Sequence, residues 1–273
     1  MINPSRISDV QNDVLNTSKK TSTPKSILRT ANILTCLSRG ITSITEIASI
    51  CQTNKSTVHR LLQALGETGL TIQDPINHKY YIGPLITEIA SNPYVTHEHL
   101  LSCAINEMRS LASFTGESIG LSVLIGLKSY LIHEIESIHD FAITAKHKIN
   151  NVVYAGAHSK AMLSQLSNRE LDIVMANLVL EPLTKNTVGD KGQLLEQLKQ
   201  IRRQGYISTC GEINAGAMCI SVPITNYILP TALSILGPES RMKQRENEYI
   251  SEIVASRDHV HHNVAQIFQK TVE

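Results

Sequence analysis

Lys55, Ser56, Thr57, His59, Arg60 and Gln63 crowd into one short segment, and every one is cationic or hydrogen-bonding. Between them Val58, Leu61, Leu62 and Leu65 recur at helical spacing, so one helix would carry a packing face and a polar face. Arg, Lys, Gln and hydroxyl side chains reach base edges and phosphates in a DNA major groove. His78 and Lys79, a few residues on, add two groups suited to phosphate contact. Arg257-Asp258-His259-Val260-His261-His262 offers metal-ligand types instead. On a helix His261 points away from both His259 and His262, so only Asp258 with His262, or His259 with His262, can share a face. A solvated or interface helix face is the better reading, and no metal is expected. No Gly-x-Ser-x-Gly, phosphate-loop Lys, His-Glu-x-x-His or nucleotide fingerprint occurs. Catalytic residues, cofactors and enzymatic activity are therefore not expected.

The polar helix needs a scaffold, and the flanking sequence supplies one. Ile27, Ala31, Leu34 and Leu37 predict a helix stopped by Gly40, with these four residues inside. Ser43-Ile44-Thr45-Glu46 fits a capping box, and Ile44, Ile47, Ala48 and Cys51 line the short helix it opens. After a tight break at Gln52-Thr53-Asn54 comes the polar helix, ending at Gly69. Leu70-Thr71-Ile72 and Tyr80-Tyr81-Ile82 then read as strands around the turn-rich Asp74-Pro75-Ile76-Asn77-His78. Three helices followed by a hairpin is the order of a winged helix-turn-helix.

The expected organisation is a disordered tail over 1–24, the winged domain over 25–83, a linker over 84–96 and a second domain over 97–273. In that second domain a long helix over 97–114 precedes a hairpin, Ile119–Ile125 and Tyr130–Ile135, turned at Gly126. Phe141–Thr144 reads as a short strand, and Ser167-Asn168-Arg169-Glu170 as a second capping box. Gly192–Gln204 is an amphipathic helix. Strands over 206–210, 218–224 and 231–236 and a long closing helix over about 242–270 complete an α+β domain with a mainly antiparallel sheet.

The 273 residues are 42% hydrophobic and 18% charged with a formal net charge of +1, which excludes a disordered or strongly basic chain. Residues 1–90 hold nine Lys/Arg against six Asp/Glu, so the N-terminal third is mildly basic and the rest mildly acidic. No apolar run is long enough to span a bilayer. Five scattered cysteines argue against a disulfide framework and for a reducing cytoplasm.

Several motifs resemble the IclR family of bacterial transcriptional regulators. They are Lys55-Ser56-Thr57-Val58-His59-Arg60-Leu61-Leu62 with Gly69 and Tyr81-Ile82-Gly83; Gly116-Glu117-Ser118; Ser159-Lys160-Ala161; and Ile201-Arg202-Arg203-Gln204-Gly205-Tyr206. Glu212, Gly216, Cys219-Ile220-Ser221-Val222-Pro223-Ile224, Gly237-Pro238 and Arg241 continue the match in order. The resemblance runs from about Ser26 to Arg241.

It implies a homodimer or homotetramer that binds double-stranded operator DNA and is tuned by a small organic-acid effector. By position, the effector site falls to Ile143, Ala157, His158, Thr209, Cys219, Ser234 and Leu236. Amides at the start of the Ser159 helix can receive a carboxylate, Ser234 and Thr209 can add hydrogen bonds, and Ile143 and Leu236 can wall the site. His158 stands where the family often has a small residue, and it can be cationic near an anion. Cys219 reads as a small buried hydrophobe rather than a redox sensor. The segment Lys148-Ile149-Asn150-Asn151-Val152-Val153 lacks the family's usual Gly and Pro. That departure motivates an alternative, a constitutive DNA-binding and dimerisation protein that has lost ligand response.

Overall fold

The computed structural model of the chain describes residues 24–144 and 152–270. All but Pro24 of the expected tail, and the Lys148–Asn151 part of the departing segment, lie outside them. The chain divides into two compact units that meet between Asn92 and Pro93.

The first unit runs α1 (Lys25–Ser38), α2 (Ile44–Ile50), α3 (Lys55–Glu67), a hairpin of β1 (Thr71–Gln73) and β2 (Tyr80–Ile82), then α4 (Pro84–Ala90). Ile33, Cys36, Leu37, Ile47, Val58, Leu62 and Tyr80 close its core. Burial of each such side chain is worth roughly 1.5–3 kcal/mol, which is what holds three short helices together. The inward face of α1 differs from the sequence expectation. Asn32, Ile33, Cys36 and Leu37 point in, Leu34 is half-buried, and Ile27 and Ala31 are exposed. The cause is tertiary: α1 packs on β2 and α3, which select the stripe one position round from the predicted one. The first capping box is also corrected. Ser43 is the N-cap of α2 but its side chain makes no capping bond, and its carbonyl accepts from Ile47 N at 3.0 Å. At the end of the hairpin, a Cβ on Gly83 would sit 2.1 Å from the Gly69 carbonyl oxygen, so only glycine lets the two segments cross.

The second unit begins with α5 (Pro93–Thr96) and α6 (Glu98–Thr115), then β3 (Ser118–Ile125) and β4 (Lys128–Ile135). Next come α7 (Ala157–Leu163), α8 (Asn168–Asn177) and α9 (Lys191–Gln204). β5 (Ile207–Cys210), β6 (Ala217–Ile224), β7 (Thr231–Pro238), α10 (Glu239–Met242) and α11 (Glu246–Lys270) follow. The five strands pair in the order β4-β3-β7-β6-β5, antiparallel throughout. Because side chains alternate across a strand, each face has its own composition. Ile119, Leu121, Val123, Ile220, Val222, Leu233 and Ile235 pack under α6 and α11. Gly120, Ser122, Cys219, Ser221 and Ser234, their neighbours along the strands, face the other way, toward α7. These five residues are small, so the sheet alone does not fill this part of the face.

At the second capping box, Ser167 and Glu170 form both reciprocal bonds at the start of α8. The expected strand at Phe141–Thr144 does not form. The segment has no ladder partner among the described residues, and Phe141 is 69% exposed. Among the described residues no helix is long and apolar enough to cross a membrane.

Candidate nucleic-acid interface and ligand cavity

Helix α3 turns Val58, Leu62 and Leu65 into the core and leaves Lys55, Ser56, His59, Arg60 and Gln63 exposed, while Thr57 sits half-buried at the border. Thr71 ties the wing to this helix: its buried hydroxyl donates to Leu62 O at 3.0 Å. The wing tip is built by Asp74, whose carboxylate accepts from the amides of Ile76 (2.8 Å) and Asn77 (3.3 Å) and from Asn77 Nδ2 (2.6 Å). His78 adopts a left-handed φ of 57° and, with Lys79, is exposed at this tip. Residue types alone could not assign this role to Thr71, because its bond to Leu62 depends on the folded hairpin, whereas the Asp74 bonds are local to the turn. The arrangement presents one cationic helix face and one exposed loop bearing His78 and Lys79 from a single core.

On the small polar face of the larger sheet lies a cavity of about 480 Å³. Six of the seven expected residues line it: Ile143, His158, Thr209, Cys219, Ser234 and Leu236. Ala157 lies behind the wall, fully buried, with its amide donating to Thr209 Oγ1 at 3.1 Å. The floor follows the sheet register. Gly120 pairs with Ser234, Ser234 with Ser221, and Cys219 with both Leu236 and Thr209. Ser234 and Ser221 hydroxyls lie 2.8 Å apart. The largest group of residues that sequence reasoning missed comes from β4, where Tyr130, Leu131, His133 and Glu134 form a side wall. A register shift at Leu121/Ser122 lets this strand present neighbouring residues to the same space, which no alternation pattern reveals.

At the start of α7 the amides of the N-cap Gly156 and of Ala157 are bonded within the protein. Gly156 N donates to Glu212 Oε2 at 2.9 Å and Ala157 N to Thr209. The other Glu212 oxygen accepts from Lys160 Nζ at 2.5 Å, in a pair whose lysine is fully buried. Burial lowers the Lys160 pKa, and Glu212 opposes that shift. Burial lowers the His158 pKa to about 4, which favours the neutral hydrogen-bonding ring at neutral pH. Burial raises the Cys219 thiol to about 12 against hydrogen bonds from the His158 amide and Ser234, consistent with an unreactive side chain. Gly156 enters α7 at φ 81°, and a Cβ there would meet Ile213 at 2.6 Å.

The histidines of α11 go to separate partners. His259 Nδ1 lies 3.2 Å from Glu107, His261 Nε2 accepts from Thr225 N at 2.8 Å, and His262 Nε2 lies 2.8 Å from Gln266. Among the described residues no group of three or more His, Cys, Asp or Glu converges to hold a metal.

A winged helix-turn-helix joined to an antiparallel-sheet domain with an internal cavity defines a DNA-binding transcriptional regulator. Residues 26–75 match the IclR helix-turn-helix domain and residues 92–260 the bacterial transcriptional regulator IclR C-terminal domain. The chain belongs to the IclR family, whose members are transcriptional regulators and not enzymes. It is 28% identical to the HTH-type transcriptional regulator KdgR of Dickeya chrysanthemi over 238 residues, 85% of this chain and 77% of the relative. It is 28% identical to the HTH-type transcriptional repressor AllR of Escherichia coli K12 over 223 residues, 81% of each. The fold is shared with an IclR homologue from Microbacterium hydrocarbonoxydans crystallised with 4-hydroxybenzoate. That match has TM-score 0.55 and 19% identity, and covers 89% of this chain and all of that one.

Proposed function

We propose that the chain is a homo-oligomeric, sequence-specific operator-binding regulator whose DNA affinity is set by a small organic acid held in the sheet cavity. Lys55, Arg60 and Gln63 contact bases or phosphates, Ser56, Thr57 and His59 support them, and His78 and Lys79 reach phosphate from the wing. Two copies place their α3 helices in successive major grooves of a pseudo-palindromic site. The protein acts in the cytoplasm, where that DNA lies.

The observation that carries the ligand reading is the cavity itself. Its volume of about 480 Å³ is in the range of small-molecule sites. It has an apolar wall at Ile143 and Leu236 and hydroxyls at Ser122, Thr209 and Ser234, which suit an acid with an apolar or ring-sized body. The 4-hydroxybenzoate bound by the Microbacterium homologue is such an acid. The cavity also favours this reading over a constitutive DNA-binding protein without ligand response.

The test is a fluorescence-anisotropy titration with the DNA upstream of the chain's own gene, a scrambled duplex and a salt series, repeated with a panel of organic acids. Salt-sensitive binding to the upstream DNA alone, altered by one acid, is the expected result. That acid should also stabilise the protein by about 2.7 kcal/mol at a hundredfold excess over Kd. Equal binding to both duplexes overturns the specific-regulator reading. Operator affinity unchanged by a bound acid overturns the coupling.

A further inference from the structure

Two cysteines far apart in sequence meet inside the winged unit. Cys36, fully buried on α1, and Cys51, half-buried at the C-cap of α2, bring their sulfurs to 3.9 Å. The contact is a thiol hydrogen bond, and all five cysteines are free thiols. We propose that Cys36 and Cys51 form an oxidative modification site that a peroxide closes into a disulfide.

The geometry gives the two thiols different tasks. Cys51 is the half-exposed one, reached by a small oxidant from the turn before α3. Cys36 is sealed in the core, where it can meet only its neighbour. The Cys36 contact lowers the Cys51 thiol against the effect of burial, while that contact and burial raise Cys36. Burial instead raises Cys103, Cys210 and Cys219. Cys51 is the half-exposed thiol whose ionisation the contact favours, and the thiolate is the nucleophile.

In the first step the Cys51 thiolate attacks one peroxide oxygen. An S–O bond forms, the O–O bond breaks, and the departing hydroxide takes a proton to become water. Cys51 is now a sulfenic acid. In the second step the Cys36 sulfur attacks the Cys51 sulfur. The S–S bond forms, the S–O bond breaks, and the second water carries away the Cys36 proton. Two thiols and one hydrogen peroxide yield one disulfide and two waters. The sulfurs must close from 3.9 Å to about 2.05 Å. The turn at Cys51 is where that movement is taken up. Gln52 follows at a left-handed φ of 48°, and Thr53 N donates to Ala48 O at 3.0 Å before Asn54 caps α3. A bond here fastens α1 to the turn that starts the polar helix.

The test treats the full chain with hydrogen peroxide, blocks remaining thiols with iodoacetamide under denaturing conditions, and maps tryptic peptides by mass spectrometry. Trypsin separates the two sites into peptides 30–39 and 40–55. The expected result is a fall from five alkylatable thiols to three, with those two peptides joined, two hydrogens lighter, and released by dithiothreitol. Cys51→Ala should leave Cys36 alkylatable after the same treatment. Five remaining thiols, a Cys51 sulfinic acid beside a free Cys36, or a link through Cys103, Cys210 or Cys219 in its place overturns the proposal. The parent chain alone decides among these outcomes, so a variant that folds poorly does not stop the test.

Discussion

Replacing Glu212 by Gln puts the junction of α7 with the cavity wall to a quantitative test. The native carboxylate accepts from Lys160 Nζ at 2.5 Å and from Gly156 N at 2.9 Å, and the lysine is fully buried. The amide keeps the shape and one acceptor but removes the charge. Breaking a buried pair in this way costs roughly 3–5 kcal/mol, because an ammonium is left uncompensated. For a domain of this size each kcal/mol lowers Tm by roughly 2–4 °C, so the second unit should melt roughly 6–20 °C earlier. Differential scanning calorimetry follows that transition directly. Adding Lys160→Met to Glu212→Gln should recover at least half the loss, since no charge is then stranded. The pH dependence has a fixed sign. The folded Lys160 pKa lies below 10.5, so folding sheds protons between the two values and stability rises with pH across that window. Without Glu212 the window widens downward, and the deficit should shrink as pH approaches 10.5. A single variant within about 1 kcal/mol of the parent, with a strictly additive double variant, would refute the reasoning.

Four further outcomes are expected. Arg60→Ala should weaken operator binding by roughly 1–3 kcal/mol, about 5- to 150-fold, in an anisotropy titration; parent-like affinity removes α3 as the reading helix. Gly83→Ala should cost several kcal/mol and loosen the wing, seen as faster amide exchange at Tyr80–Ile82, since its Cβ would lie 2.1 Å from Gly69 O; native exchange rates refute it. Ser234→Leu should fill the cavity floor and abolish the thermal shift with any responsive acid while leaving DNA binding in place; a retained shift moves the ligand elsewhere. His158 has a folded pKa of about 4 against 6.5, so the unfolded chain gains a proton first and stability falls as pH drops between them. His158→Asn should flatten that part of the acid-unfolding curve, and an unchanged slope assigns it to other groups.

The order of helices and strands was legible wherever apolar spacing and a stop residue agreed, as for α3 with its Gly69 end. What failed had tertiary causes. Two apolar stripes compete on α1, and only the position of β2 and α3 selects between them. Ser43 has the sequence of a capping box but not the bonds, whereas Ser167 has both. Phe141–Thr144 has strand composition but pairs with no strand among the described residues. The cavity floor was readable from Thr209, Cys219 and Ser234 through the family resemblance. The β4 wall was not, because a register shift breaks the alternation that sequence patterns rely on. The meeting of Cys36 with Cys51 was invisible for the same kind of reason: it depends on how α1 and α2 cross.

The strand order β4-β3-β7-β6-β5 also has a temporal consequence. β3 pairs with β4 just after Gly126, but its other neighbour is β7, through pairs such as Ser118 with Leu236, over a hundred positions later in the chain. Contacts of such separation close large loops and slow folding, whereas the winged unit is built from near neighbours. During synthesis the first unit is complete once Asn92 has emerged. The centre of the sheet must then wait, one edge of β3 unpaired and its apolar face covered by α6 but not yet by α11, until β7 leaves the ribosome. That interval, rather than the finished structure, is when this chain is most exposed to aggregation and to chaperones.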